Sequence, residues 1–162
     1  MVDGKVIEHH FRYTAWASGR LLEAAELLTG EELNRDFGTS DKSVLGTLTH
    51  TFAGDRIWLA RMSGPPPTSF IGPEDRDLAV LRKEWPIVHE KWLAWLSGVT
   101  DFTKTASYKD LKGNPYSQPL WQILLHVINH GTHHRGQVSG FMRSMGKAPP
   151  PTDLIYYYRE LK

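Results

Sequence analysis

The chain has no cysteine among its 162 residues, which removes disulfides, thiolate metal ligands and a cysteine nucleophile together. Any site must therefore be built from nitrogen and oxygen donors. No apolar run approaches the roughly 20 residues that span a bilayer, and the stretch from Met1 to Tyr13 lacks the apolar centre of a signal peptide. A cytoplasmic location and no membrane partner are expected. Lys and Arg (19) nearly balance Asp and Glu (18), and no basic run is interleaved with aromatics, so nucleic acid is not an expected partner either. A small-molecule substrate is. Two metalloenzyme patterns are also missing. Val127 follows His126 and Gly131 follows His130, so the HExxH motif of zincin peptidases is absent, and no Glu-x-x-His pair of a ferritin-like di-iron site occurs.

What the chain does have is histidine: eight in all, four of them between Trp121 and Met145. In that segment Ile123, Leu124, Val127, Val138, Phe141, Met142 and Met145 recur with helical period and define one apolar stripe. His130 and His134 fall on its margin. Being four residues apart, they stack one above the other, about 40° apart around the axis at about 100° per residue. Such a pair can present two imidazole nitrogens to one metal ion, as i, i+4 histidines do in helical metal sites. His126 and His133 rotate away. A histidine on an apolar margin is more often a core group with a satisfied hydrogen bond, so a metal site needs a third ligand from elsewhere.

The rest of the chain supplies the other layers of a bundle. A first amphipathic helix is expected from about Lys5 to Leu28, with Ile7, Phe11, Ala15, Ser18, Leu22 and Ala25 inward and Gly30 ending it. Its His9 is expected in solvent, while His10 lies at the edge of the buried stripe. A polar connection through Gly38 leads to a second helix, Val44 to Met62, stopped by Gly64 and Pro65 to Pro67. His50 sits off its main stripe, beside Gly46, Ala53, Gly54 and Ile57, where small side chains would let another helix approach. That placement suits a third ligand and suits an exposed histidine about as well. A third helix, capped by Asp75 or its neighbours, should run to Leu96 with Trp85 and Trp92 in the core. Pro86 should kink or break it near Arg82, leaving His89 on the surface. Thr103 to Tyr108 favour extended structure, Lys112 to Asn114 signal a turn, and Pro115 to Pro119 can return, so a small hairpin should cross over the bundle before Pro119 opens the histidine helix. Asp153 can cap a last segment, Leu154 to Leu161, whose three tyrosines read as packing. The expectation is an all-α fold over a single domain, 1–162: a four-helix bundle with a crossover connection and a small inserted β-hairpin.

The stretch from His130 to Gln137, with His134, Arg135, Gly136 and Gln137 in the order HRGQ, resembles the HxxxHRGQ pattern of the DinB family. Leu48 to His50 followed by Asp55 to Leu59, and Tyr13 to Trp16, are similar to that family's second and first helices. The family comprises four-helix metalloproteins that include bacterial thiol S-transferases and mycothiol-dependent maleylpyruvate isomerases. The resemblance implies that His50, His130 and His134 are the metal ligands, a choice the helical wheel leaves open. It also implies a homodimer, toward which the aromatic load of Trp58, Trp92 and Trp95 points as well. Three neutral imidazoles leave a divalent ion its full charge and an open position, the pattern of a catalytic site; nickel, zinc and iron all suit imidazole. The resemblance favours a low-molecular-weight thiol as the activated group, and a chain without cysteine must take it from solution. The alternatives are a hydrolase using a metal-activated water, with Asp55 as its base, or a stress-related binding protein whose metal is structural. An aspartate such as Asp55 more often pairs with a surface arginine, and Arg135 and Gln137 could orient a substrate or a ligand histidine.

Overall fold

The structure, a computed structural model, describes residues 3–64, 72 and 75–161; the expected stop at Pro65 to Pro67 lies outside them. Four long helices carry the fold: α1 (Gly4–Ala25), α3 (Val44–Ser63), α4 (Leu78–Ser97) and α5 (Leu120–Ser144), with short α2 (Gly30–Asn34) and α6 (Leu154–Glu160) and the strands β1 (Thr105–Lys109) and β2 (Pro115–Pro119). Each of α1 and α3 packs against both α4 and α5, so α1 lies diagonal to α3 and α4 diagonal to α5. Both diagonals must be crossed by the chain. The link through α2 crosses the first, and the β-hairpin crosses the second, with β1 against α3 and β2 against α5.

Local signals set most of the helix ends. Ser43 Oγ accepts from Gly46 N (3.0 Å) at the start of α3, and Asp3 accepts from Lys5 N at the start of α1. At α4 the cap is Asp77, which accepts from Ala79 N. Asp75 is instead buried and paired in two hydrogen bonds with Arg56 (2.8 and 2.6 Å). Gly30 does not end the first helix; α1 stops at Ala25 and Gly30 begins α2. The cause is a capping box that sequence reasoning overlooked: Thr29 Oγ1 accepts from Glu32 N while Glu32 accepts from Thr29 N.

Pro86 neither breaks α4 nor shortens it. Its neighbours in the core explain the tolerance. Trp85, one residue before it, donates from Nε1 to Asp55 Oδ2 (2.8 Å), and Trp92, nearly two turns later, donates to the Asp55 carbonyl (3.0 Å). Both tryptophans are wholly buried. Two indoles anchored to one residue of α3 tie both halves of α4 to the core, offsetting the hydrogen bond the proline removes.

The hairpin pairs antiparallel, Thr105 opposite Pro119 and Lys109 opposite Pro115. Its turn is tied by Asp110, which accepts from Lys112 N and from the backbone and side chain of Asn114, with Gly113 at φ 88°. α5 then buries Ile123, Leu124, Val127, Val138 and Met142, the expected stripe, with Phe141 and Met145 half-buried against it. A second, smaller core forms where α6 meets α1: Tyr157 packs on Tyr13, Ala17 and Trp16. His9 belongs to that contact and is not in open solvent. It is half-buried, stacked on Tyr158 at 5.2 Å and tilted on Tyr157 at 5.3 Å. Among the described residues no helix is long and apolar enough to cross a membrane.

Candidate metal centre

Adjacent packing of α3 and α5 brings His50 against His130 and His134. The ring centroids of His50 lie 5.0 Å from His130 and 4.5 Å from His134, and the latter two are 4.4 Å apart. One nitrogen from each ring falls within 4.8 Å of the others. His50 Nε2 and His130 Nε2 are separated by 3.0 Å, which is about the spacing of two neighbouring donors that share an ion at roughly 2.1 Å. A hydrogen bond between two ring nitrogens needs a proton on one of them, whereas a cation between them needs a lone pair on both. The donor set thus fits one divalent ion held by imidazole alone, with no described carboxylate in the cluster.

Gly54 makes this approach feasible. It lies one turn beyond His50 on the same face of α3, and a Cβ there would come within 2.7 Å of His130 Cε1. The small-residue face read from the sequence is therefore used by an imidazole rather than by a helix backbone.

Two of the rings are oriented from behind. His134 Nδ1 donates to Gln137 Oε1 (2.6 Å), and His50 Nδ1 faces Asp41 Oδ1 (3.3 Å). Each partner favours the tautomer with its proton on Nδ1, in which Nε2 carries the lone pair that a cation needs. Asp41 arrives from the α2–α3 loop, where Lys42 takes a left-handed φ of 65°. Gly46 keeps that loop close, since a Cβ on it would collide with the Asp41 carbonyl. Asp41→Asn offers Nδ1 an amide in place of a full negative charge. It should weaken metal binding about ten-fold, the lower end of what partners behind ligand histidines contribute. Isothermal titration of metal into the stripped protein reads this directly, and an unchanged affinity would remove Asp41 from the site.

Burial pushes the His130 pKa down from 6.5 to about 4, with the nearby His134 and His50 rings acting in the same direction and Asp55 against it. His134 is lowered too, chiefly by burial, while its bond to Gln137 opposes the shift. Both rings are neutral at pH 7, as ligands must be. For metal-free protein the sign follows from proton uptake: between pH 6.5 and about 4 the unfolded chain protonates this position and the folded chain does not. The His130 contribution is absent above that window, and stability falls as pH drops through it. His130→Asn should flatten this part of the pH profile in urea melts of chelator-treated protein; a profile that stays as steep as wild type would contradict the assignment.

The remaining histidines separate clearly. His126 and His133 are exposed, as expected. His126 still lies edge-on to Trp58 at 5.2 Å and 5.8 Å from the His130 ring. His89 is a correction: it is buried, stacked on Trp85 at 5.7 Å, with Nε2 3.3 Å from Asp55 Oδ2. Asp55 is 1% exposed, and among the described residues it forms no ion pair with an arginine. Arg135 is likewise no surface residue: it is 3% exposed, bonded to Thr132 Oγ1 and lying over the Tyr13 ring at 5.3 Å. Burial lowers its pKa, with Tyr13 and Asp55 opposing. Gly131 leaves the space its guanidinium fills, since a Cβ there would sit 2.8 Å from Nη1.

Comparison with known proteins agrees with this architecture. The chain is 21% identical over 155 residues to Protein DinB of Bacillus subtilis strain 168, covering 91% of this chain and 90% of that protein. The crystal structure of a DinB-like protein from Bacillus cereus ATCC 10987 superposes with a TM-score of 0.67 at 20% identity, over 90% of this chain and 94% of the other. The DinB family profile matches residues 1–160, nearly the whole sequence. The chain belongs to the DinB family.

Proposed function

We propose that His50, His130 and His134 hold one divalent ion, nickel, zinc or iron, and that the protein is an enzyme activating a low-molecular-weight thiol. The thiol would be transferred to an electrophile or used in a thiol-dependent isomerisation. The observation that carries this reading is the cluster of three imidazoles with no carboxylate or thiolate among the donors. A divalent ion so held keeps its charge and an open position, and would favour thiolate over thiol near neutral pH. Asp41 and Gln137 favour the tautomers that a ligand needs, and Gly54 seats His130 against the α3 backbone. The chain has no thiol of its own.

The burial of Asp55 in the core, with Oδ2 bonded to Trp85 Nε1, supports the thiol reading over a hydrolase that uses this carboxylate as base. A purely structural metal remains the non-enzymatic competitor. The test is to screen glutathione, bacillithiol, mycothiol and simple thiols against a model electrophile, using metal-loaded, metal-free and His130→Ala protein. Faster reaction by the loaded form alone supports the proposal. Equal rates for all three would sink thiol transfer, and turnover of esters or amides instead would revive hydrolysis.

A homodimer is part of the same reading. Trp92 is buried within one chain and gives no reason for a partner, but Val6 on α1 and Ile155, Tyr156 and Tyr158 on the adjoining α6 leave apolar surface exposed. Light scattering at micromolar concentration should give twice the 18.4 kDa chain mass; a monomer at all concentrations would remove this element.

A further inference from the structure

Beside the histidine cluster, α3, α5 and the hairpin line a cleft that holds none of the three clustered histidines. Its outer part has a volume of about 430 Å³ and is lined by Arg61, Ser107, Tyr108, Lys109 and Tyr116. Its inner part, about 200 Å³, is lined by Trp58, Tyr108, Gln122 and His126. Tyr108 is common to both. The rings run inward to the histidines: Tyr108 to Trp58 at 4.8 Å, Trp58 to His126 at 5.2 Å, and His126 to His130 at 5.8 Å.

Arg61 is the unusual group in this cleft. Its guanidinium lies over Trp58 at 4.5 Å and 5.3 Å from the Tyr108 ring, and since those rings are themselves only 4.8 Å apart, both lie to one side of it. Nε is buried without a hydrogen-bond partner, and among the described residues no carboxylate stands within ion-pair distance. The nearby acid, Asp110, is engaged by Asn114 and by the backbone of Lys112. A surface arginine that merely stacks on an aromatic ring would leave its Nε to water. A guanidinium packed on an aromatic pair, with a buried Nε that lacks a partner, matches a carboxylate, which accepts two parallel N–H bonds. Lys109 adds a second positive charge at the mouth.

We propose that this cleft binds a small aromatic carboxylate, Arg61 taking the carboxylate and the Trp58 and Tyr108 rings the apolar body. That this ligand is the acceptor of the thiol rests on the function proposed above; the binding itself does not.

The experiment titrates phenylacetate and its neutral isostere phenylacetamide into the full-length protein, metal-loaded and metal-free, followed by NMR shifts of the indole and ring protons. The expected result is binding of the acid with shifts centred on Trp58 and Tyr108, about ten-fold tighter than the amide, since a hydrogen bond to a charged group contributes about that factor. Arg61→Gln should lose that preference while keeping the melting temperature and the metal content of wild type, and Arg61→Lys should recover only part of it. Equal binding of acid and amide, an unaffected Arg61→Gln, shifts mapping elsewhere, or no binding of either probe would each overturn the proposal. If the protein binds the acid but holds no metal, the thiol reading falls and this one stands; if it holds metal but ignores the acid, the reverse is true.

Discussion

His50→Ala protein, expressed without a histidine tag, should bind its divalent ion at least about 100-fold more weakly than wild type, while His126→Ala should bind it equally well. Even a partner that only orients a ligand histidine contributes about ten- to 100-fold, and in the proposed site His50 is a donor itself. What remains after its removal is an i, i+4 pair on α5 with no third nitrogen. The metal-free fold should not suffer, because His50 is half-buried at the edge of the bundle and not part of its core. Its ring also helps to depress the His130 pKa, so its loss relieves one of the influences that keep His130 neutral. Metal content by elemental analysis and thermal melts with and without metal separate the two effects. At 100 times Kd a bound ion stabilises the native state by about 2.7 kcal/mol; wild type should show that rise and His50→Ala should not. Retention of metal by His50→Ala together with its loss in His126→Ala would mean that the wrong histidine has been assigned.

Much of this arrangement was legible in the sequence because it depends on period alone. The i, i+4 spacing put His130 and His134 on one margin, and the apolar stripes of α1, α3, α4 and α5 placed the core. The proline and turn signals around Asn114 located the hairpin and hence one crossover. What period could not supply was the identity of the facing neighbour. His50 looked as much like an exposed residue as a ligand until the resemblance to a family singled it out. His89, one turn past an expected kink or break at Pro86, reads as a surface residue, but α4 is continuous and His89 is buried against Trp85, whose indole is anchored to Asp55. His9 was assigned to solvent because α6, which covers it, is a short tyrosine-rich segment far away in sequence. Asp55 and Arg135 were misjudged for a common reason: charged residues are seldom buried, and only tertiary structure shows a tryptophan donor or a glycine-sized gap waiting for them. The capping box at Thr29 and Glu32 was different, since its signal was local and visible.

Gly54→Ala should weaken the proposed metal site at least about ten-fold, though it adds only one methyl group. The new Cβ would lie 2.7 Å from His130 Cε1 and 3.2 Å from Nδ1. Ordinary contact begins at 3.4 Å, so the ring must retreat by about 0.7 Å. His130 cannot do this freely. Its Nε2 meets His50 on one side, His134 packs edge-on against it, and its Cα is fixed by the α5 backbone. Backing away carries Nε2 off the point that the other two nitrogens share, and a displacement approaching 1 Å is enough to spoil a site of this kind. Alanine is the better helix former by about 1 kcal/mol, which partly offsets an overpacking cost of about 1–3 kcal/mol. The melting temperature of metal-free protein should therefore change little, while metal affinity falls at least about ten-fold. Ser in place of Ala should behave alike, since the clash comes from Cβ and not from polarity. If Gly54→Ala binds metal as tightly as wild type, then His130 has room to move that the close seat on α3 denies it, and this glycine has no part in building the centre.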